Sequence, residues 1–140
     1  MVLKETGILR EFDLIIYPVP FIVAIGKVEE DINKRYVPLD PQYNRIGKCR
    51  GAAATTYQVK DKKTGDYCIL IWVYDPSDFK SSIVPHECNH AAFEIFHYVG
   101  AKIQYDDQEP FCYLSGNLNR LATGTYYKLK DYQTKQTKEK

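Results

Sequence analysis

The chain has 140 residues, of which 44% are hydrophobic and 26% are charged, and its formal net charge is +1. This length suits a single domain with its own core, and the near-neutral charge excludes the strongly basic surface that binds nucleic acid or anionic membranes. The four cysteines form no CxxC pair, so they predict neither a zinc finger nor a dithiol redox motif, and we expect them to be reduced and structural. The apolar runs are far shorter than a membrane span.

The N-terminal part of the sequence has the composition of β-strands followed by a short helix. Residues 9–17 and 21–25 are rich in β-branched and aromatic side chains, which predicts two strands. Pro18 and Pro20 lie between these runs and suit a bend or a sheet edge. Residues 28–36 carry Val, Ile and Tyr at a spacing of four, which indicates a helix.

A hairpin is the clearest β-signal in the sequence. It follows a loop at residues 37–50, which is rich in proline and polar residues. Residues 55–59 and 67–74 are strand-like and are joined by the polar turn KDKKTG at residues 60–65. The run at residues 67–74 is the most apolar, so we expect it to be central in the sheet or to line a cleft.

Two helices are predicted in the C-terminal half. The first extends from Ser82, a favourable N-cap, to Gly100, which suits a helix C-terminus. The second is capped by Asp106 or Asp107 and is expected to fade near Gly124.

The order of strands followed by helices predicts an α+β fold. In this fold, a small, twisted, mostly antiparallel sheet packs on the two helices. The last residues, DYQTKQTKEK, are polar and lysine-rich without apolar periodicity. We therefore expect one domain at residues 1–127 and a frayed polar tail at residues 128–140.

The pentapeptide HECNH, residues 86–90, contains the candidate metal-binding and catalytic residues. On a helix, His86 and His90 stand one turn apart on the same face and can bind one metal ion. Glu87 is rotated about 100° from His86, so it lies beside the ion, where it can take a proton from metal-bound water. The apolar residues of this helix gather on the opposite side. The motif predicts one Zn²⁺ held by the two histidines, with Glu87 as general base.

A catalytic zinc needs a third protein ligand and an open fourth position. Glu109, in the first turn of the following helix, is the leading candidate because it lies opposite the core residues of that helix. Asp106 and Asp107, in the loop before it, are the alternatives. A His/His/Glu ligand set favours zinc among the divalent metals.

Peptide hydrolysis also needs a group that stabilises the oxyanion. Tyr113, one turn after Glu109 on the same helix face, is the first candidate. Tyr105 and Tyr126 are weaker alternatives.

The motif helix carries two further polar residues after the histidine pair. His97 lies about 10 Å along the helix axis from His90, too far to bind the same ion, so we expect a hydrogen bond or a contact near the cleft. Glu94 lies one turn after His90 and is interpreted as an exposed helix charge rather than a support for the metal site.

HECNH and the following QEPFCYL resemble the zincin superfamily, and in particular its gluzincin branch. The resemblance covers residues 83–122 and implies that Glu109 binds zinc with the two motif histidines while Glu87 acts as the base. It also implies a twisted sheet over the active-site helix. An edge strand of that sheet, assigned to residues 67–74, would bind the substrate backbone in extended form.

The sequence departs from the gluzincin pattern in two respects. Tyr113 stands where gluzincins usually have an aspartate, and the large second domain of classical members is missing. HECNHAAFEIFHYVG with DDQEPFCYLSGNL is similar to small HExxH proteins encoded by phages and prophages of gut Bacteroidota. This similarity implies a phage or prophage origin and virion proteins as partners. Without a signal-peptide pattern, we expect the protein in the cytoplasm of a bacterial or infected cell, or in the virion.

Functions from different classes are compatible with these residues. The first is a zinc-dependent peptide-bond hydrolase, in which a metal-bound water activated by Glu87 attacks the scissile carbonyl of a peptide or protein. The second is a non-catalytic virion or assembly protein that keeps a zincin fold and a structural metal site. Amide hydrolysis in another substrate, such as a cell-wall peptide crosslink, is a third. Neither nucleic acid nor a membrane is expected as a partner.

Overall fold

The computed structural model describes residues 1–140 and has an α+β fold, as the order of elements predicted. A short 3-10 turn at Pro76–Asp78 precedes the last two helices. The strands and helices in chain order are β1 (Val2–Lys4), β2 (Gly7–Leu14), β3 (Tyr17–Gly26), α1 (Glu29–Arg35), β4 (Tyr36–Pro38), β5 (Ala54–Asp61), β6 (Tyr67–Val73), α2 (Val84–Val99) and α3 (Glu109–Glu139).

All six strands form one mixed sheet in the order β1-β2-β3-β6-β5-β4. Every neighbouring pair is antiparallel except β3 and β6, which are parallel because α1, β4 and β5 return the chain between them. The predicted hairpin is present as β5 and β6. The short strands β1 and β4, at the two sheet edges, were not predicted, since three residues are too few to show alternation.

The two central strands are buried on both faces, which explains their unbroken apolar sequences. Alternate residues of β3 and β6 face α2 and α3 on one side and α1 on the other. Trp72 is fully buried on the α1 side, where its indole Nε1 donates a hydrogen bond of 2.9 Å to the backbone oxygen of Gly26. The site described below lies on the α2 side.

The predicted boundary between the first two long strands is wrong. The chain turns at residues 15–16, so Pro18 and Pro20 lie inside β3 rather than between strands. Proline is tolerated there because β3 pairs with β6 only from Phe21 onwards and the β2 register shifts near the same place. The missing N–H groups therefore interrupt no regular ladder.

The last helix is longer than predicted. Instead of fading near Gly124 into a frayed tail at residues 128–140, α3 continues as far as Glu139. Leu129 is fully buried, and Gln133 donates a hydrogen bond of 2.8 Å to the backbone oxygen of Glu5. Leu129 is the one buried hydrophobic residue of this extension, which is too weak a periodic signal to reveal it. None of the helices combines the length and the apolar character needed to cross a membrane.

Substitution of Leu129 tests whether this extension is docked. Leu129→Ala should lower the free energy of unfolding by about 2–5 kcal/mol, because it removes a fully buried side chain and leaves a cavity. Lys128→Ala, at the exposed neighbouring position, should change it by no more than about 0.5 kcal/mol. Urea denaturation followed by circular dichroism measures both. Equal, small effects would mean that the helix end is not packed.

Candidate metal centre

The two motif histidines lie side by side in the first turns of α2. Both are exposed, and their ring centroids are 4.7 Å apart with the ring planes at 80°. The Nε2 atoms of His86 and His90 are only 3.1 Å apart. The spacing of four residues thus brings the two ring nitrogens together, as the sequence predicted.

This separation fits a pair of ligands to one ion. Two zinc–nitrogen bonds of about 2.0–2.1 Å at a tetrahedral angle place the nitrogens about 3.3 Å apart. At 3.1 Å, one neutral ring can also donate a hydrogen bond to the other. His86 and His90 therefore fit a metal that binds imidazole.

Glu87 lies on the side of α2 that faces the sheet. Only 7% of its surface is exposed, and its Oε2 accepts a hydrogen bond of 2.6 Å from Thr56 Oγ1 on β5. The same hydroxyl lies 3.0 Å from the backbone oxygen of Glu87, but the charge-assisted contact is shorter and stronger. The carboxylate is thus held at the wall of the cleft beside the histidines.

A polar cleft of about 250 Å³ runs between α2 and β5. No lysine or arginine side chain lines it. Its lining consists of Ala54, Thr55, Thr56, Gln58, Glu87, His90 and Glu94. A motif histidine and the candidate base therefore share one cleft with a β-strand.

The strand along this cleft has an open edge. β4 pairs only with Val59, Lys60 and Asp61 of β5, and Leu39 N donates to Gln58 O at 3.0 Å. In an antiparallel strand, every second residue directs its N–H and C=O groups to the same edge. Ala54 and Thr56 therefore direct theirs to the same edge as Gln58, where no strand pairs with them. The expectation that residues 67–74 form the substrate-binding edge strand is wrong, because β6 is paired on both sides.

Contacts between α2 and α3 fix how the two helices are aligned. Ser115 Oγ donates a hydrogen bond of 2.6 Å to Asn89 Oδ1, and the ring of Phe111 packs 4.7 Å from that of Phe93. Later residues of α2 therefore lie beside earlier residues of α3. The beginning of α3 is consequently level with the C-terminal end of α2.

This alignment does not bring Glu109 to the histidine pair. Glu109 is exposed and precedes Phe111, which also packs against Phe96, about 9 Å along the helix axis beyond His90. Asp106 and Asp107 lie in the exposed loop before α3. No group of three or more His, Cys, Asp or Glu side chains is arranged to hold a metal. The structure therefore brings together two of the three expected ligands.

The tyrosines considered for the oxyanion also lie outside the cleft. Tyr113 is 76% exposed and lines an apolar groove between α3 and the β2–β3 turn. Tyr105 is 93% exposed in the loop before α3, and Tyr126 stacks on Phe79 with ring centroids 4.4 Å apart. Stabilisation of an oxyanion by Tyr113 finds no support in this arrangement.

Cys88, inside the motif, is a packing residue. It is fully buried among the core residues of α2, and burial raises the pKa of its thiol to about 12. A thiol that stays protonated is a poor competitor for a metal. All four cysteines are free.

Thr56 is the residue of the cleft that sequence reasoning missed. It lies in a predicted strand, but a lone threonine gives no local sign that its hydroxyl reaches Glu87, thirty-one positions later. Glu94, which the sequence predicts to be an exposed helix charge, is instead partly buried and lines the cleft.

Comparison with known proteins assigns no family. No protein-family model matches the chain, and neither a curated protein nor a solved structure matches it. Function is therefore inferred from the side chains of the cleft.

Metal binding tests the placement of these ligands. His86→Ala and His90→Ala should each weaken zinc binding by more than about 100-fold. Loss of a residue that only hydrogen-bonds to a metal ligand typically costs about 10–100-fold, and loss of the ligand itself should cost more. Glu109→Ala and His97→Ala should bind like the parent, because both positions lie away from the pair. Elemental analysis and calorimetric titration measure the stoichiometry and affinity. Loss of zinc in Glu109→Ala would show that α3 approaches the histidines in the loaded protein.

Proposed function

We propose that this protein is a zinc-dependent peptide-bond hydrolase with a zincin-like fold. The observation that carries the proposal is the pair of converging Nε2 atoms of His86 and His90 beside the buried carboxylate of Glu87. The two histidines would hold the metal and Glu87 would act as general base. The structure brings no third protein ligand to this pair, and Glu109 and Tyr113 are both exposed outside the cleft.

Zinc, when bound, supplies a Lewis acid that polarises a carbonyl and lowers the pKa of a bound water to about 7. The chain contributes the base. Thr56 holds Glu87 Oε2 at 2.6 Å, which leaves Oε1 to accept a proton from water and to return it to the leaving amine. The carboxylate is thereby oriented by the strand and not by the helix alone.

The open edge of β5 supports a peptide as the substrate. The outward N–H and C=O groups of Ala54 and Thr56 are free to pair with an extended chain, as in β-strand addition. A peptide bound there lies directly beside His90 and Glu87, which line the same cleft. Backbone pairing would place a scissile bond without needing a deep side-chain pocket.

Replacement of the base separates catalysis from metal binding. Glu87→Gln should lower the rate of peptide cleavage by about 10²–10⁴-fold, because an amide cannot take up the proton. Its zinc content should equal that of the parent, since Glu87 is not a ligand. Cleavage of a peptide library, read by mass spectrometry, measures the rate. A zinc-loaded Glu87→Gln protein that cleaves like the parent excludes the mechanism.

The hydroxyl of Thr56 should affect turnover more than substrate binding. Thr56→Val removes the hydrogen bond to Glu87 at nearly constant volume and should lower kcat by about 10–100-fold, as expected for a bond to a charged group. Thr56→Ser keeps the hydroxyl and should restore most of kcat, with similar KM and zinc affinity. Steady-state kinetics on one cleaved peptide decides between them. Equal losses in both variants would indicate a packing role.

The non-catalytic virion or assembly protein is the second candidate. It is favoured by the lack of a third metal-binding side chain beside the histidine pair and by an apolar groove of about 610 Å³ beside the β2–β3 turn. At that turn Ile15 and Ile16 are 100% and 80% exposed. The resemblance to phage-encoded HExxH proteins would make virion proteins its partners. Zinc-dependent assembly in a protein whose Glu87→Gln variant assembles equally well would support this candidate.

A further inference from the structure

The end of the cleft beyond His90 has a chemistry of its own. Glu94 lies one helical turn after His90, is partly buried, and forms no ion pair. Gln58 of β5 lines the cleft with it. Tyr67, on the neighbouring strand, donates a hydrogen bond of 3.2 Å to Gln58 Oε1. A carboxylate and an amide thus line the same cleft, and a tyrosine hydroxyl is hydrogen-bonded to the amide.

A stacked pair of tyrosines lies next to Gln58, outside the lining of the cleft itself. Tyr67 stacks on Tyr98 of α2, with ring centroids 4.2 Å apart and planes at 16°. Burial, and then the negative charge of Glu94, raise the pKa of Tyr67 to about 12. The phenol therefore stays neutral and can donate its proton to Gln58.

No basic side chain neutralises Glu94. The cleft lining contains two carboxylates, Glu87 and Glu94, and neither lysine nor arginine. Lys60, the next residue on the same face of β5, lies over Gly65 in the β5–β6 turn and makes no ion pair. A carboxylate that is partly removed from water is stabilised by a nearby cation. Because no side chain of the protein pairs with Glu94, a cationic group of a ligand can take this place.

We propose that Glu94, Gln58 and the stacked Tyr67–Tyr98 pair form a subsite for a lysine or arginine side chain of the peptide. The inference rests on the proposed peptidase function and names its substrate class. Glu94 would pair with the cationic head, and Gln58 Oε1 has a second lone pair to accept one of its N–H groups. The tyrosine faces would contact the aliphatic stem or a guanidinium plane.

The spacing of the cleft predicts where the cation stands in the substrate. One helical turn separates His90 from Glu94, about 6 Å along α2. Two residues of an extended peptide span about 6.6–6.8 Å and place their side chains on the same side. The cationic residue should therefore be two positions from the residue held at the histidine pair.

A position-scanned set of peptides tests the subsite in zinc-loaded protein. Each peptide carries Arg, Gln or Glu at one position, and kcat/KM is measured for each. For the parent, kcat/KM should be about tenfold or more higher with Arg than with Glu at one position, two residues from the cleaved one. This preference should be smaller at high salt. Glu94→Gln should remove the preference, and Glu94→Lys should reverse it. Glu109→Lys, an exposed carboxylate outside the cleft, is the matched control and should keep it.

Binding without turnover distinguishes failure of the subsite from failure of the hydrolase. Binding of labelled Arg and Glu peptides to Glu87→Gln protein is measured by fluorescence anisotropy. The Arg peptide should bind at least tenfold more tightly than the Glu peptide, and this difference should disappear in the double variant Glu87→Gln/Glu94→Gln. Cleavage with no preference, or a preference unchanged by Glu94→Gln, would overturn the subsite. No cleavage of any peptide with the binding preference intact would overturn the hydrolase alone. Absence of both cleavage and selective binding would overturn both.

Discussion

The burial of one narrow stripe of α2 against the sheet determines the geometry of the candidate site. Four side chains of this stripe have no exposed surface: Cys88, Ala91, Ala92 and Ile95. The two alanines let the helix backbone lie close to β3 and β6, whose inward residues belong to the same core. Because successive residues are about 100° apart around the helix, burial of this stripe fixes the orientation of α2 about its own axis. In that orientation His86 and His90 face outwards, and Glu87 meets β5.

The site is divided between a helix and a strand. The helix supplies groups at fixed spacing, namely the histidine pair, Glu87 and Glu94, while β5 supplies Thr56 and an unpaired backbone edge. The hydrogen bond from Thr56 joins the two parts and holds a carboxylate that is almost completely buried. Such a contact is retained only if helix and strand keep their relative positions, so the core beneath them serves the site directly.

The elements with strong local signals were predicted well. The helix ending at Gly100 is present, and Gly100 adopts the left-handed conformation, φ 73°, that favours glycine at a helix C-terminus. The predicted Ser82 cap is wrong, because the helix begins at Val84 after Ile83, without a side-chain cap. The β5–β6 hairpin follows from its turn and its apolar strands. The turn at residues 15–16 was missed because two isoleucines occupy positions where turn-forming residues are usual. The end of α3 was missed because only Leu129 marks its buried face there.

The sequence by itself determined the histidine pair, since the separation of His86 and His90 depends only on helix geometry and a spacing of four residues. It also determined the α+β class through the order of strand and helix patterns. Only the tertiary structure decided which groups from other elements join the pair. Because Phe111 packs on α2, Glu109 lies away from the histidines, and the position of β5 places Thr56 next to Glu87. Such alignments depend on how distant segments pack, and no local pattern encodes them.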